Sequence, residues 1–91
     1  MKKRTFKEVQ AAEEEMFRKV WYERHRRYRD KYTGHTPEDI IVAAEKAARK
    51  VEKEFPEMLE AIHDPFECGM LNGKLSALRW VLGEEWDSLD T

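Results

Sequence analysis

Apolar residues in this chain recur every three to four positions and no β-branched run alternates, so the pattern predicts helices and no sheet. Phe6, Phe17, Val20, Trp21, Tyr28 and Tyr32 fall in one helical sector, with Val9 and Met16 at its edge. Thr5-Phe6-Lys7-Glu8 has capping-box spacing: the Thr5 hydroxyl can accept from the Glu8 N–H while the Glu8 carboxylate reaches back to the Thr5 N–H. Thr33-Gly34 ends the segment, because glycine tolerates the left-handed terminal conformation. The first helix is expected over about residues 5–32.

Thr36-Pro37-Glu38-Asp39 opens a second helix, over about residues 36–55, with Thr36 as cap and Pro37 where its missing N–H is harmless. Ile40, Ala44, Ala47, Val51 and Phe55 step along one face, and Pro56 closes the run. A short helical turn at about 57–63 directs Met58, Leu59 and Ile62 inward. Asp64-Pro65-Phe66-Glu67 repeats the cap, proline and acid arrangement and starts a helix over about 64–83, ended by Gly83 and followed by an acidic tail, 84–91. The pattern specifies one all-α domain, 1–91: a small antiparallel bundle of three long helices plus a short turn.

The last helix is apolar on two sides. Cys68, Leu71, Leu75, Leu78, Leu82 and Trp86 project to one, and Phe66, Met70, Gly73, Ala77, Trp80 and Val81 to the other. Both sides need cover, since each square ångström of wet apolar surface forfeits about 25 cal/mol. The helix is therefore expected either at the centre of its own bundle or shared with another chain. Gly69, Gly73 and Ala77 let a second backbone approach closely, and the alanine face of the second helix suits that place. A second copy of the chain is the alternative occupant.

Charge divides the chain in two. Residues 1–32 carry eleven Lys or Arg against six acids, and residues 33–91 carry six against thirteen. Arg18, Lys19, Tyr22, Arg26 and Arg29 project together to the side of the first helix away from its apolar stripe. They form a positive surface with one aromatic that could follow phosphates and stack a base. Pairs at i and i+4 compete for those charges: Glu14 with Arg18, Glu15 with Lys19, Glu23 with Arg27 and Arg26 with Asp30. Docking against acidic helices, or cover by the tail containing Glu84, Glu85, Asp87 and Asp90, would neutralise the stripe.

Signals for chemistry are weak. His63, Asp64, Glu67 and Cys68 form the densest set of possible ligands, but their spacing matches no zinc motif, and Asp64 and Cys68 are accounted for as cap and core. Glycine-rich phosphate loops, nucleophile elbows and dinucleotide fingerprints are missing, so no enzyme activity, metal or cofactor is expected. The single cysteine fits a reducing compartment. Met1-Lys2-Lys3-Arg4 runs into Thr5-Phe6-Lys7-Glu8 without the apolar core of a secretory signal, and no segment has the roughly 20 apolar residues of a membrane span. A cytoplasmic protein without membrane contact is expected.

The closing stretch Gly69-Met70-Leu71-Asn72-Gly73-Lys74-Leu75-Ser76-Ala77-Leu78-Arg79-Trp80-Val81-Leu82-Gly83-Glu84-Glu85-Trp86-Asp87-Ser88-Leu89-Asp90-Thr91 resembles the carboxyl end of small uncharacterised bacterial proteins. The resemblance implies a bacterial cytosolic origin and a helical fold; it brings no activity and no functional residue. The expectation is a non-enzymatic interaction module, homodimeric or bound to another protein, with contacts at Phe66, Met70, Gly73, Ala77, Trp80, Trp86 and Leu89. The alternative is a nucleic-acid-binding or regulatory bundle acting through the basic stripe of the first helix.

Overall fold

The computed structural model describes residues 1–27 and 34–86. Its four helices are α1 (Phe6–Arg27), α2 (Glu38–Glu54), α3 (Met58–Ala61) and α4 (Pro65–Val81), and no strand occurs among the described residues. Tyr28, Arg29, Tyr32 and Thr33, which the sequence pattern assigns to the end of the first helix, lie outside the described residues, as does the tail from Asp87.

Local chemistry sets the boundaries. The capping box forms in both directions: Glu8 N–H donates to Thr5 Oγ1 and Thr5 N–H to Glu8 Oε1, each at 3.1 Å. Asp64 accepts from the Phe66 N–H at 3.0 Å with Pro65 in the first turn of α4. Thr36, by contrast, does not cap α2. Pro37 takes the cap position, its carbonyl receives the Ile40 and Ile41 N–H groups, and no side-chain cap bond is made. At the other end of α4, Gly83 has φ +108°, its N–H donates to the Trp80 carbonyl, and the Glu84 N–H donates to the Arg79 carbonyl. That double bond pattern turns the chain back over the helix it has just left.

Helix directions follow from the cross-helix contacts. Glu13 meets Arg79 and Arg24 meets Asn72, so α4 runs antiparallel to α1; Arg18 meets Glu54 and Arg26 meets Glu45, so α2 does too. The α1–α4 contact is the most extensive, α1–α2 is smaller, and α2 and α4 barely meet. The central helix is thus α1, covered on two sides, and not α4. The core is Val20, Tyr22, Ala48, Val51, Met58, Leu71 and Leu75, with Met16, Trp21, Phe55, Ala61 and Ile62 packed against it.

Several expected facings shift as a result. A helix clamped between two neighbours buries two sectors, so Tyr22 enters the core from outside the predicted stripe, while Phe6 and Phe17 at its near end remain exposed. In α2 the inward positions are Ala48 and Val51, and Ile40 and Ala47 are exposed. In α3 Met58 is buried and Leu59 is exposed.

Candidate interaction surface

The leucine side of α4 is the side that folds. Cys68, Leu71 and Leu75 are buried, and Leu78 and Leu82 are partly so. Trp86 does not join them, because the Gly83 reversal carries it to the opposite side, where its ring stacks on Trp80 with centroids 5.1 Å apart and planes 12° off parallel. The outer side therefore gains an aromatic that the helical projection assigns to the core.

That outer side is uncovered within the chain. Phe66 is 70% exposed, Trp80 49% and Trp86 54%, with Met70 and Val81 also exposed. Pro65, Phe66, Gly69, Met70, Gly73, Lys74 and Ala77 line an open groove of about 500 Å³ along it. The alanine face of α2, the expected neighbour, does not reach it: α2 packs on α1 through Ala48 and Val51, and Ala47 is left exposed. The glycines make the vacancy more pointed. A β-carbon added to Gly69 or Gly73 would meet nothing within 4 Å, so packing inside this chain does not require either glycine. Each nevertheless weakens the helix by about 1 kcal/mol relative to alanine. Leu89, expected on the same surface, lies outside the described residues.

The basic stripe of α1 meets a different fate. Tyr22, projected toward solvent by the sequence pattern, is buried, and its hydroxyl donates to Glu52 Oε2 at 2.6 Å. Arg26 donates to Glu45 at 2.8 Å and to Glu52 at 2.9 Å. Arg18 donates to Glu54 at 2.6 Å, and the Lys19 ammonium sits between Glu15 and Glu57 with the Phe55 ring 4.6 Å away. The physical reason is that α2 segregates its charges: Glu45, Glu52 and Glu54 line the edges that meet α1, and they take the place the tail was expected to fill. Of the expected pairs along α1, Glu15–Lys19 and Glu23–Arg27 form, whereas Arg18 chooses Glu54 over Glu14. Arg29 and Asp30 lie outside the described residues.

These contacts shift protonation in the directions expected of strong pairs. The Tyr22 hydrogen bond, then that of Arg26, holds the Glu52 carboxyl below the usual glutamate range, and Arg18 does the same for Glu54. The carboxylate of Glu45, ahead of those of its other partners, raises Arg26 further above neutrality. Burial, reinforced by Glu52, pushes the Tyr22 phenol up.

Open positive charge lies on the far side of α2. Lys46, Arg49, Lys50 and Lys53 are exposed and surround an alanine floor of Ala43 and Ala47. Arg49 is 3.8 Å from Glu45, and Lys50 acts on the Glu54 carboxylate through space. The signal is present in the sequence: at 100° per residue Lys46, Arg49, Lys50 and Lys53 fall within one face of α2.

Catalytic geometry does not assemble around the remaining candidates. Cys68 is buried, its thiol directed at the Ala61 and Ile62 carbonyls at 3.6 and 3.8 Å. His25 is stacked on Trp21 with Nε2 3.6 Å from Glu45, which places it in the helix interface. His63, Asp64 and Glu67 are exposed, and no group of three or more His, Cys, Asp or Glu among the described residues is arranged to hold a metal ion. No described helix is long and apolar enough to cross a membrane. No family model matches this chain, and neither the curated proteins nor the solved structures contain a match to it.

Proposed function

We propose that this protein is a non-enzymatic helical interaction module that forms a homodimer through the outer side of α4, using Phe66, Met70, Gly73, Ala77, Trp80 and Trp86. The observation that carries this reading is the open groove floored by two glycines that the chain's own packing does not need. Burying a Phe or Trp removes roughly 150–250 Å² from water, so three aromatics at the present exposures leave roughly 250–450 Å² uncovered. A standard interface covers about 800 Å² per partner, and the aromatics alone supply roughly a third to a half. A cytoplasmic, bacterial setting belongs to the same reading and suits a chain whose single cysteine, Cys68, is buried.

Sedimentation velocity at micromolar concentration tests it. The wild-type chain is expected at twice the mass of one copy, and Ala77→Glu at the mass of one copy with unchanged helical circular dichroism. A wild-type chain that sediments as a single copy overturns the reading.

One observation favours a second reading, binding of a nucleic-acid backbone, and it moves the surface from α1 to α2. Lys46, Arg49, Lys50 and Lys53 span about 10 Å along the helix, the rise of about three phosphate steps of one strand at roughly 3.4 Å each. Retention on immobilised DNA at low salt, falling steeply with added salt and lost in Lys46→Glu, Lys50→Glu, is the expected result. Equal retention of that variant, or none by the wild type, removes this reading.

A further inference from the structure

The outer side of α4 is nearly symmetric about Gly73, with Met70 three positions before it set against Ser76 three after as the exception. Phe66 stands seven positions before it and Trp80 seven after; Gly69 stands four before and Ala77 four after. Seven residues are within about 20° of two full turns, so both aromatics share the line of Gly73 along the helix. The profile is a waist of small residues, Gly69, Gly73 and Ala77, edged by Met70 and set between two bulky ends, and the Trp86 ring thickens the Trp80 end.

We propose that a second copy covers this face antiparallel, with the two-fold axis passing beside Gly73. Phe66 of each copy then lies against Trp80 and Trp86 of the other, and Gly69 lies against Ala77. This inference rests on the homodimer reading and adds the direction and register of the partner helix. Three features select it. The small waist permits axes near the lower end of the usual 8–10 Å, which brings the aromatic ends into reach of one another. The exposed aromatic of one end faces a stacked pair at the other, so both ends are covered by one symmetric operation. Antiparallel helices also oppose their dipoles. A parallel pair would align the dipoles.

Disulfide trapping in full-length Cys68→Ser tests the register, since serine keeps a donor for the Ala61 carbonyl. A side chain at positions 69, 73 or 77 fits the fold, because the glycine sites have free space and Ala77 is exposed. Gly73→Cys is expected to cross-link to itself under mild oxidation. Gly69→Cys alone is expected not to, because the axis separates its two copies by about 12 Å, beyond the roughly 7 Å that a disulfide spans. Gly69→Cys mixed with Ala77→Cys is expected to give the mixed dimer. Self-cross-linking of Gly69→Cys without the mixed product means a parallel pair and overturns the register while leaving the homodimer intact. Sedimentation of the unoxidised Cys68→Ser chain, with its helical circular dichroism retained, as a single copy overturns both. As a second readout, Phe66→Ala is expected to weaken self-association by at least about tenfold, because each such change empties two aromatic contacts. An unchanged association constant overturns the register even if cross-links form.

Discussion

The Tyr22 hydroxyl donates to Glu52 Oε2 at 2.6 Å across the α1–α2 interface, and Arg26 reaches the same oxygen at 2.9 Å. The phenol is in the core while the carboxylate is at its margin, so the bond joins the apolar centre to the ionic edge of the interface. A hydrogen bond to a charged group contributes about 1.5–3 kcal/mol, and the retained Arg26 contact softens its loss. Tyr22→Phe is expected to lower unfolding free energy by about 1–2 kcal/mol, measured by urea denaturation at neutral pH. A change below about 0.3 kcal/mol would mean that the ion pair alone holds the carboxylate.

Acid should loosen the same interface. Glu52, Glu54 and Glu57 are all held below the usual glutamate range, the first by Tyr22, the second by Arg18 and the third by its own backbone N–H, with Lys19 assisting. A depressed carboxyl contributes fully above its unfolded pKa of about 4.3, and that contribution is lost as pH falls through the lower folded value. The urea midpoint is expected to hold from neutral pH to about pH 5 and to fall below about 4.3. Glu52→Gln should flatten part of that fall. The raised Tyr22 phenol acts oppositely: its contribution is present below the unfolded value of about 10 and disappears as pH rises through the folded one.

Leu75 and Phe66 separate the two sides of α4 by experiment. Leu75 is fully buried, so Leu75→Ala removes packing and leaves a cavity, a loss expected at about 2–5 kcal/mol. Phe66 touches solvent over most of its surface. At concentrations where the chain is a single copy, Phe66→Ala is expected within about 0.5 kcal/mol of wild type by urea denaturation. A large effect at that dilution would place Phe66 inside the fold of the single chain.

Helix existence and direction were legible in the sequence, because caps and periodicity act locally: Thr5 with Glu8, Asp64 with Pro65, and Gly83 each do what their residue types require. The two apolar sides of α4 were legible for the same reason. Which helix is central was not. Periodicity identifies apolar stripes, and α1 is covered on its second side through Tyr22, Arg18 and Arg26 meeting carboxylates, a contact that a search for apolar stripes passes over. The basic stripe was identified by composition, but its availability depended on where α2 placed Glu45, Glu52 and Glu54. Trp86 was misplaced because a helical projection cannot continue through a glycine with φ +108°.

Caps differ in a way that mutation can read. The Asp64 carboxylate takes the Phe66 N–H, and removing it leaves that donor unpaired at the entry to α4. Asp64→Ala is expected to cost about 0.5–2 kcal/mol by urea denaturation. Thr36 also stands directly ahead of a proline, with Glu38 and Asp39 after it, yet makes no cap bond to α2. Thr36→Ala should stay within about 0.5 kcal/mol of wild type.

Gly73→Ala should move stability and association in opposite directions. Within one chain the added methyl meets nothing within 4 Å, and alanine in a helix interior is favoured over glycine by about 0.8–1 kcal/mol. At high dilution the variant is therefore expected to unfold at higher urea than wild type. Across the proposed two-fold axis the same methyl appears twice, once from each copy, at the point of closest backbone approach. The helices must separate there, and the flanking aromatics lose contact as they do, so the association constant should fall as folding stability rises. Urea denaturation at nanomolar concentration and sedimentation at micromolar concentration measure the two quantities independently. A glycine kept only for the fold would give loss in the first, and a glycine of no consequence would give gain in the first with no change in the second.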